Sequence, residues 1–380
     1  MNRFYFDHNA TTPVSPEALA ALVPALGEVY ANASSVHQDG QLARQRLEEA
    51  RTRVCAMLGC DTKELVVTSG GTESDNLAIL GVVRASNKAR RHVITTAIEH
   101  PAVLNACGQL EREGVEVTYV QPDRHGWIDP DRVRRHITPH TVLISVMHVN
   151  NETGVIQPLA EIGRIAREPG IPFHSDGVQA AGKVPVDMAA LNVDLYSISA
   201  HKFYAPKGVG ALFVRSGVDV QPLQFGGRHE RSRRAGTENV PGAIAMGAAA
   251  EIASPSPGVL RDRLERMVLD RVPDVTVNGA GAPRVSNTTS LCIDGIEGEA
   301  MVIALDLRGF AVSSGSACSS GAVEPSHVLL AMGLRPEQAK SSLRFSLGRG
   351  NTEEQVDALV EAIAASAAHL RRLSPTYAHA

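Results

Sequence analysis

The sequence has little cysteine, no excess of charge and no long hydrophobic run. Its 380 residues include five cysteines, an odd and small number that argues against a disulfide framework. A formal net charge of −4 provides no global basic field for nucleic acid or an anionic membrane. No uncharged run is long enough to span a bilayer, and the first residues do not resemble a secretion signal. We therefore expect a cytoplasmic protein with no membrane partner and no direct nucleic-acid partner.

The sequence also lacks the spacings typical of metal sites. Its fourteen histidines are scattered without an HExxH pair. Cys55 and Cys60 have no second cysteine pair with which to complete a zinc set. We expect no metal site, and we interpret these two thiols, with Cys107 and Cys292, as structural.

What the chain does have is a regular alternation of short apolar runs and helical segments. The β-branched runs are "ELVVTS", "RHVITTA", "VEVTYV", "TVLISVMHV", "IPFHSD" and "DLYSISA", and helical stretches such as "DNLAILGVVRAS" lie between most of them. This alternation predicts a mostly parallel sheet covered by helices on both faces. The pattern becomes looser from about residue 255. We predict a large α/β domain at 16–254 and a smaller α+β domain made of 1–15 and 255–380.

One predicted strand ends in a glycine-rich turn that leads directly into a helix. In "ELVVTSGGTESDNLAI" the turn contains Gly71 and Thr72, and the first helical amides there could bind a phosphate. The turn matches neither G-x-G-x-x-G nor the P-loop pattern. A glycine turn whose threonine and glutamate cap the helix is the alternative.

Two further strand ends carry an acid and a lysine. Asp176 ends the run "IPFHSDGVQAAG", where it could face a ligand or could cap a helix. Lys202 follows a strand in "SISAHKFYAPKG", where a buried amine would become a nucleophile toward an aldehyde, although a solvent-exposed lysine is the alternative. A phosphate turn, an acid and a lysine on one sheet are the contacts that pyridoxal phosphate requires.

Eight segments resemble successive signature blocks of the cysteine desulfurases, within the class V group of fold-type I pyridoxal phosphate enzymes. They are "YFDHNATTP", "SGGTESDN", "EHPAV", "NNETG", "HSDGVQ", "SAHKFYAPKG", "RRAGTENV" and "SSGSACSSG", and the lysine and "SSGSAC" blocks are the most specific. The resemblance implies a fold-type I architecture with a mostly parallel seven-stranded sheet and a smaller α+β domain. It also implies conversion of L-cysteine to L-alanine with pyridoxal phosphate as cofactor.

The same resemblance implies how the cofactor would be held. Lys202 would form the Schiff base, Asp176 would pair with the pyridinium nitrogen, and Gln179 would bond the ring hydroxyl. His100 would stack on the ring and move protons, although a core or turn histidine is the alternative. The other cofactor contacts implied are Gly71, Thr72, Ser199 and His201 at the phosphate, and Asn151 beside cofactor and substrate.

Two implied roles involve partners. Thr237 would reach the phosphate in a neighbouring subunit, which implies a homodimer. Cys318, in a small-residue stretch that we predict to be an exposed mobile loop, would take the sulfur as a persulfide and pass it to an acceptor protein. That acceptor could be an iron–sulfur scaffold, a tRNA-thiolation enzyme or a DNA-phosphorothioation enzyme.

Arg344 resembles the clamp for the substrate carboxylate, and Arg349 is the competing candidate.

Other interpretations of the sequence have to be weighed at this point. A selenocysteine lyase or another class V aminotransferase-like enzyme would not need Cys318. A non-catalytic scaffold that binds a sulfur-pathway partner would be expected to have lost Lys202. The basic segment 228–237 could suggest nucleic acid, but it lacks aromatic residues, and we expect a solvated or subunit-contact loop.

Overall fold

The computed structural model describes residues 3–255, 258–314 and 324–373. The strands within these ranges are β1 (Phe4–Tyr5), β2 (Leu65–Thr68), β3 (His92–Thr96), β4 (Glu116–Val120), β5 (Thr141–Ser145), β6 (Phe173–Asp176), β7 (Leu195–Ser199), β8 (Gly210–Val214), β9 (Val275–Val277), β10 (Thr288–Ile293), β11 (Phe310–Ala311), β12 (Ser313–Ser314) and β13 (Ser342–Ser346).

The α-helices follow the same chain order. They are α1 (Pro16–Glu28), α2 (Gln38–Leu58), α3 (Gly71–Ala85), α4 (Pro101–Arg112), α5 (Pro130–His136), α6 (Leu159–Arg167), α7 (Val240–Ile252), α8 (Val259–Arg271), α9 (Gly298–Asp306), α10 (His327–Ala331), α11 (Pro336–Lys340) and α12 (Glu353–Leu373). In the described ranges, no helix combines the length and the apolar composition that a bilayer crossing demands.

The larger sheet has seven strands in the order β2-β8-β7-β6-β5-β3-β4. β8 pairs antiparallel with both β2 and β7, and the remaining pairings are parallel. Every residue of β5 and β7 is buried, as a sheet covered on both faces requires. The prediction of a mostly parallel sheet in a fold-type I architecture is confirmed.

A second, antiparallel sheet has the order β12-β13-β10-β9 and packs with α8, α9 and α12 around its own apolar core. Phe6 belongs to this core; it comes from the first segment of the chain, residues 3–15, which precedes α1. Within that segment β1 pairs in parallel with β11. The amide of Ser346 donates to the carbonyl oxygen of Phe6 at 2.8 Å, so the first segment lies along β13. The division at residues 15 and 255 stays a prediction.

The parallel arrangement brings several strand ends to one edge of the larger sheet. β6 ends at Asp176 and the neighbouring β7 ends at Ser199. Gly210, at the start of β8, pairs with both Ser199 and Thr68 and so joins the end of β7 to the end of β2. A Cβ at Gly210 would lie 2.7 Å from the Cα of Gly70, so only glycine allows this close approach.

Candidate active site

A cavity of about 240 Å³ lies at this edge of the sheet. Most of its lining residues are ones that the sequence predicted, and the full lining is Gly71, Thr72, Asp75, His100, Met147, Asn151, Asp176, Val178, Gln179, Ser199, His201 and Lys202. Thr237, Arg344 and Arg349 do not line this cavity, and Cys318 lies outside the described residues.

Lys202 ends a short 3-10 turn, Ala200–Lys202, that follows β7 directly. Its Nζ donates to the carbonyl oxygens of Asn9 at 2.6 Å and Ala10 at 2.8 Å. The amine is therefore held at the cavity wall by backbone groups of the first segment. The interpretation of Lys202 as an ordinary surface lysine does not match this position.

Asp176 is buried at the end of β6, and its Oδ1 accepts from the amide of Val178 at 2.9 Å. Turns follow it, so the alternative that Asp176 caps a helix is wrong. Burial raises the pKa of Asp176, and the charges of His100 and Lys202 oppose that rise. A buried carboxylate at this point is stabilised by a cationic partner, as a pyridinium nitrogen would be.

Asp75, which the sequence analysis missed, lies near Asp176 on α3. Burial and the charge of Asp176 raise the pKa of Asp75 well above its ordinary value. Burial and the neighbouring Asp176 charge therefore favour the protonated form of Asp75. The side chain was not apparent from sequence because helical spacing alone does not separate a cavity-facing acid from a surface one.

The predicted phosphate turn opens α3 without a side-chain cap: Gly70 occupies the N-cap position. The alternative of a threonine and glutamate cap is therefore not what the structure has, because Glu73 accepts instead from the amide of Ser69 and pairs with Arg234. A Cβ at Gly71 would lie 2.6 Å from Val178 Cγ2. The glycine keeps the first amides of α3 accessible from the cavity, where they can bind an anion.

The two histidines of the cavity are both held in defined orientations. His100 is the N-cap of α4, and its Nδ1 accepts from the amide of Ala102 at 3.1 Å, which places the proton of the neutral ring on Nε2. Burial is the largest cause that lowers the pKa of His100. Burial and the charge of Lys202 lower the pKa of His201 to about 4, while His201 Nδ1 lies 3.1 Å from Thr11 Oγ1. Both rings are neutral at physiological pH and keep hydrogen-bonding capacity.

These residues fit pyridoxal phosphate. The start of α3 has no side-chain cap, so its free amides can bind the phosphate. The buried Asp176 can pair with the ring nitrogen. The amine of Lys202, which two carbonyl oxygens hold in place, can bond to the aldehyde. The individual roles assigned from the resemblance stay predictions.

The two arginine candidates for the substrate carboxylate have different surroundings. Arg344, on β13, is only 5% exposed; it donates from Nη2 to Asp7 Oδ1 at 2.7 Å and from Nη1 to the carbonyl oxygen of Asn151 at 3.1 Å. Arg349 is exposed; its guanidinium lies 4.9 Å from the ring centre of Tyr204 and donates to the backbone of Ile252. Only Arg344 contacts a residue that lines the cavity.

The described chain that begins again at residue 324 is hydrogen-bonded beside the cavity. Ser326 Oγ donates to Glu152 Oε2 at 2.5 Å, and His327 Nε2 lies 2.9 Å from the carbonyl oxygen of Glu99. Glu152 and Glu99 adjoin the cavity residues Asn151 and His100 in sequence. Burial raises the pKa of Glu152 to about 7, so a substantial fraction of this acid is protonated at neutral pH.

The remaining predicted residues and thiols lie elsewhere. Thr237 is exposed. Cys55, Cys107 and Cys292 are buried, and burial is the main cause that raises the pKa of Cys107 to about 12 and of Cys292 to about 11. These two thiols are protonated at neutral pH, which suits the structural role expected of them.

The sequence analysis also missed Asn9, which lies within the block "YFDHNATTP". Its carbonyl oxygen accepts from both Lys202 Nζ and Gln179 Nε2, at 2.6 and 2.9 Å. Its side-chain amide donates to the carbonyl oxygen of Asn151 at 3.1 Å and to Thr288 Oγ1 at 2.9 Å. The block itself was the available signal, but it did not single out this residue.

Comparisons with known proteins found relatives that match most of this chain. The family model described as Aminotransferase class-V matches residues 4–359. A "Cysteine desulfurase" of Trichormus azollae is 47% identical over 382 residues, which cover 99% of this chain and 95% of the relative. A solved NifS-like protein matches with a TM-score of 0.90 and 35% sequence identity, and the match covers 97% of this chain and 100% of the solved chain. The solved structure of SspA in complex with cysteine has a TM-score of 0.83 and 36% identity, covering 90% of this chain and 98% of its own.

Proposed function

The chain belongs to the class-V aminotransferase family, and on that premise we propose that it is a pyridoxal phosphate-dependent cysteine desulfurase. It converts L-cysteine to L-alanine and passes the sulfur to an acceptor. The observation that carries the proposal is the single cavity that joins Lys202, Asp176 and the start of α3, in a chain 47% identical to a protein named cysteine desulfurase.

Within this cavity each chemical task has a residue. When bound, the cofactor supplies an electron sink for the bond that is broken at the substrate Cα. Lys202 Nζ would hold the cofactor through its aldehyde, and the same amine would remove the proton from the substrate Cα. Asp176 would hold the ring nitrogen, whose positive charge would favour the ionised carboxylate. His100, with its proton on Nε2, would stack on the ring and could donate that proton.

The substrate carboxylate binds Arg344. Its guanidinium donates to the carbonyl oxygen of Asn151, a residue that lines the cavity, and the ion pair with Asp7 limits its freedom. A planar guanidinium can donate two hydrogen bonds to one carboxylate, so it fixes the direction in which the substrate side chain points.

Cys318 takes the sulfur. Its thiolate attacks the sulfur of the substrate, the C–S bond breaks, and a persulfide forms on Cys318 while the carbon fragment is reprotonated and leaves as alanine. A thiol of an acceptor protein then removes the outer sulfur. An iron–sulfur scaffold, a tRNA-thiolation enzyme and a DNA-phosphorothioation enzyme are the candidate acceptors, in the cytoplasm.

The active unit is a homodimer, and an apolar face on α1 supports this. Leu19, Val23 and Leu26 are spaced four and three residues apart on α1 and are 49%, 58% and 62% exposed, and Tyr30 beyond the helix is 75% exposed. Large apolar side chains grouped in this way are usually covered by a partner. In such a dimer the exposed Thr237 reaches the phosphate site of the other subunit.

The test is alanine formation from L-cysteine by the wild type and by Cys318→Ala, with a thiol reductant present. We expect the wild type to form alanine and Cys318→Ala to form none. Equal rates would remove Cys318 from the mechanism and favour a selenocysteine lyase. No alanine from either protein, with cofactor bound, would overturn the desulfurase proposal and leave another class V reaction.

A further inference from the structure

Lys183 is a second lysine next to the cavity, and neither the family comparison nor the sequence gave it a role. It lies in the turns that follow β6, seven residues after Asp176. Its Nζ donates to Asn9 Oδ1 at 2.9 Å and to Gln179 Oε1 at 2.5 Å. Lys183 does not line the 240 Å³ cavity, whereas Gln179 does.

The contacts of Asn9 fix which atoms face Lys183. The carbonyl oxygen of Asn151 can only accept a hydrogen bond, so the group that meets it must be the Nδ2 of Asn9. The Oδ1 of Asn9 is therefore the atom that faces Lys183. Asn287 Nδ2 also donates to that oxygen at 3.3 Å, which agrees with the assignment.

The orientation of Gln179 follows in the same way. The carbonyl oxygen of Asn9 can only accept, so it must meet Gln179 Nε2, at 2.9 Å. That leaves Gln179 Oε1 for Lys183. The second N–H of Gln179 Nε2 is then the group available to the cavity, and a flipped amide would present an acceptor there instead.

We propose that Lys183 is a positioning residue that holds the amide of Gln179 with its N–H directed toward the cavity. The inference rests on the proposed function, because the group served there is the anionic ring oxygen of pyridoxal phosphate. A donor stabilises that oxygen, whereas the oxygen of a flipped amide would repel it. Together with the carbonyl oxygen of Asn9, Lys183 thus keeps an N–H of the Gln179 amide toward the cofactor without touching the cofactor itself.

The electrostatic surroundings agree with a tightly held amine. The charged or titratable groups that face Lys183 are Lys202 in the turn after β7, Arg344 on β13 and His8 in the first segment. Burial, followed by the charges of Lys202 and Arg344, lowers the pKa of Lys183 well below its ordinary value. Either form of the amine has enough N–H groups to donate to both oxygens.

The test follows the absorption band of bound cofactor as pH is varied. The full-length protein loaded with pyridoxal phosphate is compared with Lys183→Met, Gln179→Ala and the double variant. Loss of a donor to the ring oxygen should raise the midpoint pH of the band by about one unit in Gln179→Ala, and by a similar or smaller amount in Lys183→Met. In the Gln179→Ala background, Lys183→Met should cause no further shift.

Lys88→Met is the matched control, because Lys88 also donates two hydrogen bonds of 2.9 Å but lies away from the cavity. Its midpoint should equal that of the wild type. Equal shifts from Lys183→Met with and without Gln179 would show that the lysine acts through its own charge and would overturn the inference.

A second variant decides the matter if Lys183→Met does not fold. Lys183→Gln keeps an N–H donor but not the charge, so its midpoint should stay within about 0.3 unit of the wild type, a small part of the shift expected from a lost donor. A shift as large as that of Gln179→Ala would contradict the inference. Failure of the wild type to bind the cofactor would instead refute the proposed function.

Discussion

Replacing Arg344 by glutamine tests the assignment of the substrate clamp. The guanidinium is 5% exposed and faces Asn151, so its hydrogen bonds to a carboxylate would form with little competing water. A hydrogen bond to a charged group contributes about 1.5–3 kcal/mol. With a tenfold change for each 1.4 kcal/mol, losing one such interaction lowers kcat/KM for L-cysteine by about 10- to 150-fold.

The substitution also breaks the ion pair of Arg344 with Asp7, which could destabilise the fold. Its side chain is 19% exposed, so water can reach the carboxylate once its partner is removed. The cost of breaking the Arg344–Asp7 pair should therefore fall below the 3–5 kcal/mol of a fully buried pair. The absorbance of bound cofactor shows whether the variant still binds the cofactor, and the melting temperature shows whether its fold has lost stability.

Arg349→Gln provides the matched control, because that arginine is exposed and stacks on Tyr204. We expect its kcat/KM to stay within about twofold of the wild type, as for surface changes that cost little free energy. Steady-state alanine formation over a range of L-cysteine concentrations measures both variants. A large loss in Arg349→Gln together with normal kinetics in Arg344→Gln would refute the assignment to Arg344.

Three further predictions concern other parts of the molecule. Lys202→Ala should remove the absorption band of covalently held cofactor and abolish alanine formation; a variant with normal turnover would contradict the role of this amine. Burial raises the pKa of Glu152 from 4.5 to about 7, so the folded state favours the protonated acid and loses stability as pH rises from 4.5 to 7, by about 3 kcal/mol in all. Glu152→Gln should thus raise the melting temperature at pH 8.5 but not at pH 5, and equal changes at both pH values would argue against a buried acid. Leu26→Asp, measured by sedimentation beside Leu269→Asp on α8, should shift the protein to monomer, whereas a dimeric Leu26→Asp would exclude the α1 face as the interface.

The parallel sheet is the part of the fold that the sequence predicts best. The six β-branched runs correspond to β2–β7, because buried parallel strands need apolar residues on both faces and leave a strong local pattern. The ends of parallel strands share one edge, so a lysine, an acid and a glycine turn at three strand ends had to lie near each other.

Other features depend on contacts that no local pattern encodes. No quoted run corresponded to β8, the antiparallel strand between β2 and β7, and α7 was also missed although it packs on α1 and α2. Its apolar residues are alanine-rich and lie all around the helix rather than on one face, so the 3.6-residue period is weak. Asp176 was open to interpretation as a helix cap until the turns that follow it were known.

Asn9 explains why the centre of the site could not be deduced residue by residue. Its backbone N–H donates to Ser346 Oγ on β13 at 2.9 Å, and its side-chain Nδ2 donates to Thr288 Oγ1 on β10. Its backbone carbonyl oxygen accepts from Lys202 Nζ. These partners are between 193 and 337 residues away along the chain, and the decisive atom is a backbone oxygen that every residue type possesses. The asparagine side chain is therefore needed because it hydrogen-bonds across to the smaller sheet. That contact fixes the backbone at residue 9, and the backbone oxygen of Asn9 then accepts from the amine of Lys202. A residue with this double task is visible in sequence only as part of a family block, and its function becomes apparent only when both sheets are in place.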